Sequence, residues 1–426
     1  MPRIIHAQGM RDQGLADLEG ETYPDLIPEN KELLDTINRF TENGFGAWIV
    51  GGAVRDCVLG KTPSEFDLCT TATPDEIKTI FEDIIPTGEK YGTITIRSGE
   101  QMFEATTLRT EMDYGDGRRP EIVNWGASLS IDLSRRDFTI NSMAYDIERE
   151  LLFDPFDGIS DLKNGILRAV GDAHERLADD GLRIMRAYRF MDRGENGVWN
   201  PDYSLSTALI DNRSMLSLVS VERIWSEFSR IILGLHSPIV VKRMNQDGIL
   251  FAILQEPIED EIIDKLSMIS VDLEARIALL LSNSKSERVA NLLSRLKVSN
   301  RTQKRCLLLH SLIDLHPKLE DIRVYRKVIS NDVESHLELN KALGYQFENI
   351  ERSLQYPYDV SQIIDGNWLM QRTGLPPGIT LGKLKDWLFR IQIERGYTNQ
   401  DDMETALCSI PWNLGNENEW PSVNWP

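Results

Sequence analysis

The stretch GGAVRDCVLGKTPSEFDLCTTATP, residues 51–74, decides the fold. It follows an apolar run at 47–50, predicted to be a strand, and opens on two glycines. Arg55 comes three residues after the second glycine. A glycine turn lets backbone N–H groups approach a phosphate chain, and a guanidinium adds a fork-shaped cation. The pattern predicts a short helix from Ala53 to Leu59, and an acidic strand after it.

The acidic strand carries Glu65 and Asp67, two residues apart. Alternation along a strand puts such a pair on one face, where both carboxylates can share Mg²⁺. Two-metal phosphoryl transfer uses a third carboxylate, and Glu104, in a strand expected to neighbour this one, is the candidate. Each feature alone has a simpler explanation, because glycine pairs are usually turns and exposed acids usually lie on strand edges. Their order, phosphate turn then metal strand, indicates nucleotidyl transfer.

Two further motifs carry charged pairs. In the RRDFTIN string at 135–141, adjacent arginines with an aspartate indicate anion binding, although surface salt bridges look the same. Asp180 and Arg183 are three apart on a predicted helix from Leu177 to Phe190, where an ordinary ion pair would have the same spacing. A carboxylate beside a guanidinium complements the amino group and ring nitrogen that cytosine and adenine share. Guanine and uracil would leave the same pair mismatched, and such mismatches are strongly rejected.

Taken together, these motifs resemble the class II nucleotidyltransferases, the tRNA CCA-adding enzymes and bacterial poly(A) polymerases of the polymerase β-like superfamily. The chain departs from the family's Asp-x-Asp at Glu65, and from its Glu-Asp-x-x-Arg at Asp179. The resemblance implies an α+β fold. An N-terminal polymerase β-like nucleotidyltransferase head, a small mixed sheet with helices, is followed by an all-α neck, body and tail.

The resemblance also implies roles for particular residues. The catalytic residues would be Glu65, Asp67 and Glu104, with Mg²⁺ as cofactor on Glu65 and Asp67. The nucleotide would be bound by Gly51, Gly52, Arg55, Arg135, Arg136, Asp137, Asn141, Asp180, Arg183, Arg186 and Arg189. The segment Asp154–Gly158 resembles the family's hinge between head and neck. The loop at 116–120 resembles the flexible loop of enzymes that add both C and A.

Composition limits the class of protein. The chain has 426 residues, a formal net charge of −20 and four scattered cysteines. The length predicts two to four domains at about 100–200 residues each. We expect no membrane span, no secretory signal, no zinc or disulfide framework, and a cytoplasmic monomer or homodimer. The acidic balance argues against a generic nucleic-acid binder but allows local basic patches.

After residue 171 the pattern is almost wholly helical. We expect an N-terminal extension and helix at 1–44, the head at 45–170, the neck at 171–235, the body at 236–315 and the tail at 316–426. The most basic stretch indicates phosphate contacts with tRNA, or else a solvated helix face. Its members are Lys285, Arg288, Arg295, Lys297, Arg301, Lys304 and Arg305.

The expected function is the template-independent addition of CCA to tRNA from CTP and ATP. A bacterial poly(A) polymerase is the nearest competing interpretation. The lack of a basic C-terminal tail argues against it, and so does the TGEKYGT turn at 87–93, which resembles that of CCA-adding enzymes. The motifs are also compatible with an enzyme that adds only CC or only A, and with a non-catalytic RNA-binding derivative.

Overall fold

The computed structural model describes residues 16–112, 123–125, 128–192 and 197–426. The chain divides into two compact units, Met1–Pro257 and Ile258–Pro426. This division falls inside the segment expected to be the body, and the finer division into head, neck, body and tail stays a prediction. No helix in the described ranges has the length and apolar character needed to cross a membrane.

The first unit is built on an eight-stranded mixed sheet in the order β1-β10-β9-β2-β3-β6-β5-β4. The pairing of β3 with β6 is parallel and the other pairings are antiparallel. Two small sheets pair β7 with β8 and β11 with β12. The strands are β1 Glu21–Thr22, β2 Ala47–Val50, β3 Asp67–Thr70, β4 Ile84–Gly88, β5 Thr93–Ser98, β6 Gln101–Thr107, β7 Arg109–Met112, β8 Val123–Trp125, β9 Ala144–Asp146, β10 Leu151–Phe153, β11 Ile166–Leu167 and β12 Asn200–Pro201.

Helices cover this sheet and continue beyond it. Local signals fix several ends: Asn30 caps the first helix, and Thr73 and Glu76 form a capping box ahead of the third. The helices of the first unit are α1 Lys31–Glu42, α2 Gly52–Val58, α3 Pro74–Ile80, α4 Leu129–Ser134, α5 Gly158–Asn164, α6 Ala173–Asp179, α7 Leu182–Met191, α8 Tyr203–Asp211, α9 Val221–Ile232, α10 Ser237–Gln246 and α11 Ile249–Leu254.

The described residues of the second unit form helices joined by turns and loops, with no strand. Its C-terminal segment packs onto it, since the Trp420 ring lies 5.6 Å from that of Trp387 and the Trp425 ring lies 4.7 Å from that of Tyr325. The helices are α12 Asp260–Asp264, α13 Leu273–Leu280, α14 Ser286–Arg295, α15 Asn300–Leu312, α16 Ile322–Ile329, α17 Val333–Leu343, α18 Glu348–Ser353, α19 Gly366–Thr373, α20 Ile379–Arg395 and α21 Gln400–Ser409.

The expected α+β class is confirmed, with a mixed-sheet head followed by helices. One predicted element is wrong: the helix expected from Leu177 to Phe190 is two helices, α6 and α7, which meet at Asp180 and Gly181. A Cβ on Gly181 would lie 2.6 Å from the carbonyl oxygen of Met215. The break is therefore held by a tertiary contact that the helical periodicity does not reveal.

Candidate active site

The carboxylates come together at one end of the central strands. β3 begins at Asp67, which lies opposite Val50 of β2 and, on its other side, opposite Glu104 of β6. Residues directly opposite in neighbouring strands project to the same face of the sheet. The expectation that the strand of Glu104 neighbours that of Asp67 is confirmed. Glu65 lies two residues before β3, so its alignment with Asp67 on one face stays a prediction.

These acidic groups perturb one another. Partial burial, together with the negative charges of Glu104 and Glu65, raises the pKa of Asp67 to about 6, and Arg136 opposes the shift. The side chain of Asp67 nevertheless retains a solvent-exposed surface, so water reaches it from one side. Asp67 is thus a crowded but accessible carboxylate, a common property of groups at functional sites.

The acidic groups around Asp67 also decide whether this site fits a divalent cation. In the ranges that the structure describes, no three acidic, histidine or cysteine side chains stand close enough to enclose a metal ion by themselves. Mg²⁺ usually binds through one or two carboxylates and completes its shell with phosphate and water oxygens. A cation beside Asp67 would relieve the repulsion that raises its pKa, so the residues present fit such a site.

The glycine turn separates β2 from α2. Gly51 has φ +69°, in the left-handed region that glycine adopts without strain. A Cβ on Gly51 would lie 3.2 Å from Nη1 of Arg136, so this guanidinium lies against the turn. The turn therefore joins two predicted site residues that are 85 positions apart in the chain.

Asp132 is a buried residue that holds both predicted arginines of the RRDFTIN string. Arg135 donates from Nε to Oδ1 at 3.0 Å, and Arg136 donates from Nη2 to Oδ2 at 3.2 Å. Burial would raise the pKa of Asp132, but the two guanidinium groups hold it below its usual range. Sequence reasoning missed Asp132, although its position three and four residues before the arginines was a usable signal.

A second buried network joins α2, the glycine helix that follows the glycine turn, to α7. Arg55 donates from Nη1 to Oδ1 of Asn141 at 2.6 Å, and Asn141 donates from Nδ2 to Oδ1 of Asp137 at 3.3 Å. Asp137 also accepts from Nε of Arg186 at 2.6 Å. Four predicted site residues thus form one continuous chain of hydrogen bonds.

The expected pair of Asp180 and Arg183 is arranged differently. Asp180 lies in extended backbone at the junction of α6 and α7, and its Oδ2 accepts from Nη2 of Arg223 at 2.9 Å. Arg183 instead donates to the carbonyl of Arg135 at 3.1 Å and to Asp179 Oδ2 at 3.3 Å. The prediction of an i, i+3 pair on one helix is wrong. Arg223, on α9, carries no motif that would have singled it out.

Arg189 pairs with an acid of α9. Its Nε donates to Glu227, and the side chain of Glu227 is itself buried. The charge of Arg189 is therefore matched inside the protein. Glu227 lies four residues after Arg223 on α9, so one helix supports both Arg189 and Asp180.

The geometry of the segment Asp154–Gly158, which resembles the family's hinge, explains why residue 158 is glycine. Asp157 adopts φ +58°, in the left-handed region, at the position where the family pattern has glycine. A Cβ on Gly158 would lie 2.4 Å from the carbonyl oxygen of Thr139, and Asp154 accepts from the N–H groups at 158 and 159 at 2.7 and 2.9 Å. The turn thus packs directly against the RRDFTIN segment. The loop at 116–120 lies outside the described residues.

The basic stretch of the second unit is divided between two environments. Arg305 donates from Nε to Asp332 at 2.8 Å and from Nη1 to Glu274 at 3.0 Å, and it also reaches Asp272. Its charge is therefore neutralised by acids of the same unit. The other six members are exposed on α14, on α15 and on the residues that flank them, namely Lys285, Arg288, Arg295, Lys297, Arg301 and Lys304.

Comparisons with known proteins agree with this geometry. Residues 47–168 match the family model of the poly A polymerase head domain. The CCA-adding enzyme of Lactococcus lactis is 35% identical over 85% of this chain and 92% of its own length. The chain belongs to the family of CCA-adding enzymes. A second family member, from Lactobacillus helveticus, is 41% identical, over 51% of this chain and 53% of its own length.

Solved structures in this family show the same fold. The crystal structure of the Bacillus stearothermophilus CCA-adding enzyme in complex with CTP matches with a TM-score of 0.72 and 24% identity. The match covers 89% of this chain and 98% of that one. The family assignment makes this chain a nucleotidyltransferase and confirms the resemblance first drawn from its motifs.

Proposed function

We propose that this protein adds CCA to the 3′ end of tRNA without a template, taking CTP and ATP as substrates and releasing pyrophosphate. The register that places Asp67 opposite Glu104, beside the turn at Gly51, carries the proposal. It brings acidic groups to the mouth of a phosphate-binding turn in a member of the CCA-adding family. Phosphoryl transfer needs that combination of positioning and charge stabilisation.

The residues of the turn would receive the triphosphate. The backbone N–H of Gly52 would contact phosphate oxygens, since that of Gly51 already donates to the carbonyl oxygen of Met143 at 3.3 Å. Arg136, lying against the turn, would add its charge. Asp132 orients Arg136 by accepting a hydrogen bond from its Nη2. When bound by Glu65 and Asp67, Mg²⁺ would neutralise the triphosphate and lower the pKa of the attacking hydroxyl.

Glu104 would position the terminal 3′-hydroxyl of the tRNA. Its carboxylate lies on the same face as that of Asp67, so it would accept a hydrogen bond from the hydroxyl. The hydroxyl oxygen would form a bond to the α-phosphorus as the bond to the bridging oxygen breaks, and the hydroxyl proton would pass to the Glu104 carboxylate. Pyrophosphate would leave in line with the attack.

Asp180 and Arg183 would read the base. Each is held by its own partners, Asp180 by Arg223 and Arg183 by Asp179, rather than by the other. The carboxylate would accept from the exocyclic amino group of cytosine or adenine, and the guanidinium would donate to the ring nitrogen beside it. The six exposed basic residues of the second unit would bind tRNA phosphates without reading sequence.

The test uses purified protein, Mg²⁺ and a tRNA transcript that ends at the discriminator base. CTP, ATP, GTP and UTP are supplied singly and together, and products are sized to one nucleotide. We expect three added residues with CTP plus ATP, none with GTP or UTP, and no extension by Asp67→Asn. A long ladder with ATP alone would contradict the proposal and indicate a poly(A) polymerase. Undetectable turnover with retained tRNA binding would indicate a non-catalytic derivative.

A further inference from the structure

One aromatic ring lies among three arginines beside the proposed nucleotide site. Phe190, on α7, is 3% exposed, and the ring of Phe138 meets it edge-on at 5.7 Å between centroids. The guanidinium carbons of Arg189, Arg186 and Arg55 lie over the same ring, at 4.3, 5.3 and 5.5 Å from its centroid. Two of these arginines come from α7 and the third comes from α2.

Each arginine also pairs with a carboxylate of its own. The pairs are Arg55 with Asp56, Arg186 with Asp137 and Arg189 with Glu227. Each guanidinium is therefore held by an acid of its own, while all three lie over the same ring. Three like charges so close to one another would otherwise repel.

We propose that Phe190 is a positioning residue for nucleotide binding. The negative face of its ring attracts the guanidinium groups and sets the distance between Arg55, on the glycine helix, and Arg186, which holds Asp137. Through the bond from Arg55 to Asn141, the ring would keep the turn and the RRDFTIN segment in register for the triphosphate. This inference rests on the proposed function and adds to it a residue that touches no substrate.

Fluorinated phenylalanines at position 190 provide the test. Each added fluorine weakens the negative face of the ring while keeping its shape close to native, so the series separates electrostatics from packing. A cation–π contact contributes about two- to thirty-fold in an equilibrium constant. We expect the KM for CTP and for ATP to rise stepwise along the mono-, di- and pentafluoro series, to about tenfold. We expect kcat to change by less than about threefold.

The same series at Phe153, which packs in the core of the sheet, serves as the matched control and should leave KM unchanged. A flat KM across the series at position 190, with native thermal stability, would overturn the inference. Calorimetric titration with CTP gives a second readout that does not require tRNA extension. A fluorine-sensitive CTP affinity in a protein that never extends tRNA would reject the proposed function and leave the role of the ring intact.

Discussion

Replacing Asp137 by asparagine tests the network that joins α7 to the RRDFTIN segment. Asp137 is 7% exposed, and both Nε and Nη2 of Arg186 lie 2.6 Å from its Oδ2. Burial would raise the pKa of Asp137, but the charge of Arg186 holds it below its usual range. The asparagine variant removes this charge and turns an amide group towards a guanidinium.

The expected loss of stability follows from the charge of Arg186, which the substitution leaves without its partner. Removing one partner of a buried ion pair costs about 3–5 kcal/mol, because the other charge stays buried without compensation. The side chain of Arg186 is 33% exposed, so water recovers part of that loss. We expect Asp137→Asn to lower the free energy of unfolding of the first unit by about 3 kcal/mol. Adding Arg186→Gln should restore at least about 1 kcal/mol of it.

Urea unfolding of the four proteins in this double-mutant cycle gives the coupling energy, and hydrogen exchange in α7 assigns the loss to the first unit. The exposed pair of Lys341 and Glu351 is the control, with an expected coupling of less than about 1 kcal/mol. Single effects at Asp137 and Arg186 that simply add, within about 0.5 kcal/mol, would refute the reasoning.

Three further predictions concern other parts of the chain. Gly158→Ala should cost about 1–3 kcal/mol in urea unfolding, because its Cβ would lie 2.4 Å from a backbone oxygen, whereas Gly366→Ala, with open space around it, should not destabilise. Burial lowers the pKa of His336 to about 4. The second unit should therefore lose about 3 kcal/mol as pH falls from about 6.5 to 4, and His336→Gln should flatten that curve in pH-dependent unfolding. Glu104→Gln removes a neighbouring negative charge, so the pKa of Asp67, followed by carboxyl NMR, should fall below about 6; an unchanged value would contradict the proximity of the two groups.

Several local elements of the first unit could be predicted because their signals are local. The helix at 31–42 shows apolar spacing and an asparagine cap, and the strand of Glu104 shows plain alternation. The first residue of β3 could not be predicted, because the start of this strand at Asp67 is set by pairing with β2 and β6. A period of two residues says which side chains share a face, but it does not say where the strand begins.

The ion pairs were the least predictable part of the site. Arg305 looked like one of seven basic residues between positions 285 and 305, but its partners Asp272 and Asp332 lie 33 and 27 positions away in the chain. Asp180 similarly pairs with Arg223, 43 positions away. Long charged side chains pair with whichever opposite charge the tertiary fold brings close. Sequence spacing predicts only the pairs between neighbours on the same helix or strand.

The break between α6 and α7 has an evolutionary consequence. A Cβ on Gly181 would lie 2.6 Å from the carbonyl oxygen of Met215, so the segment around Met215 packs directly against the residue that follows Asp180. Selection on nucleotide preference could then act on the residues around Met215, although these residues do not contact the nucleotide. A substitution near Met215 could retune the discrimination of C and A against G and U while both proposed base-reading side chains stay unchanged. A comparison of binding-site residues alone would not detect such a change.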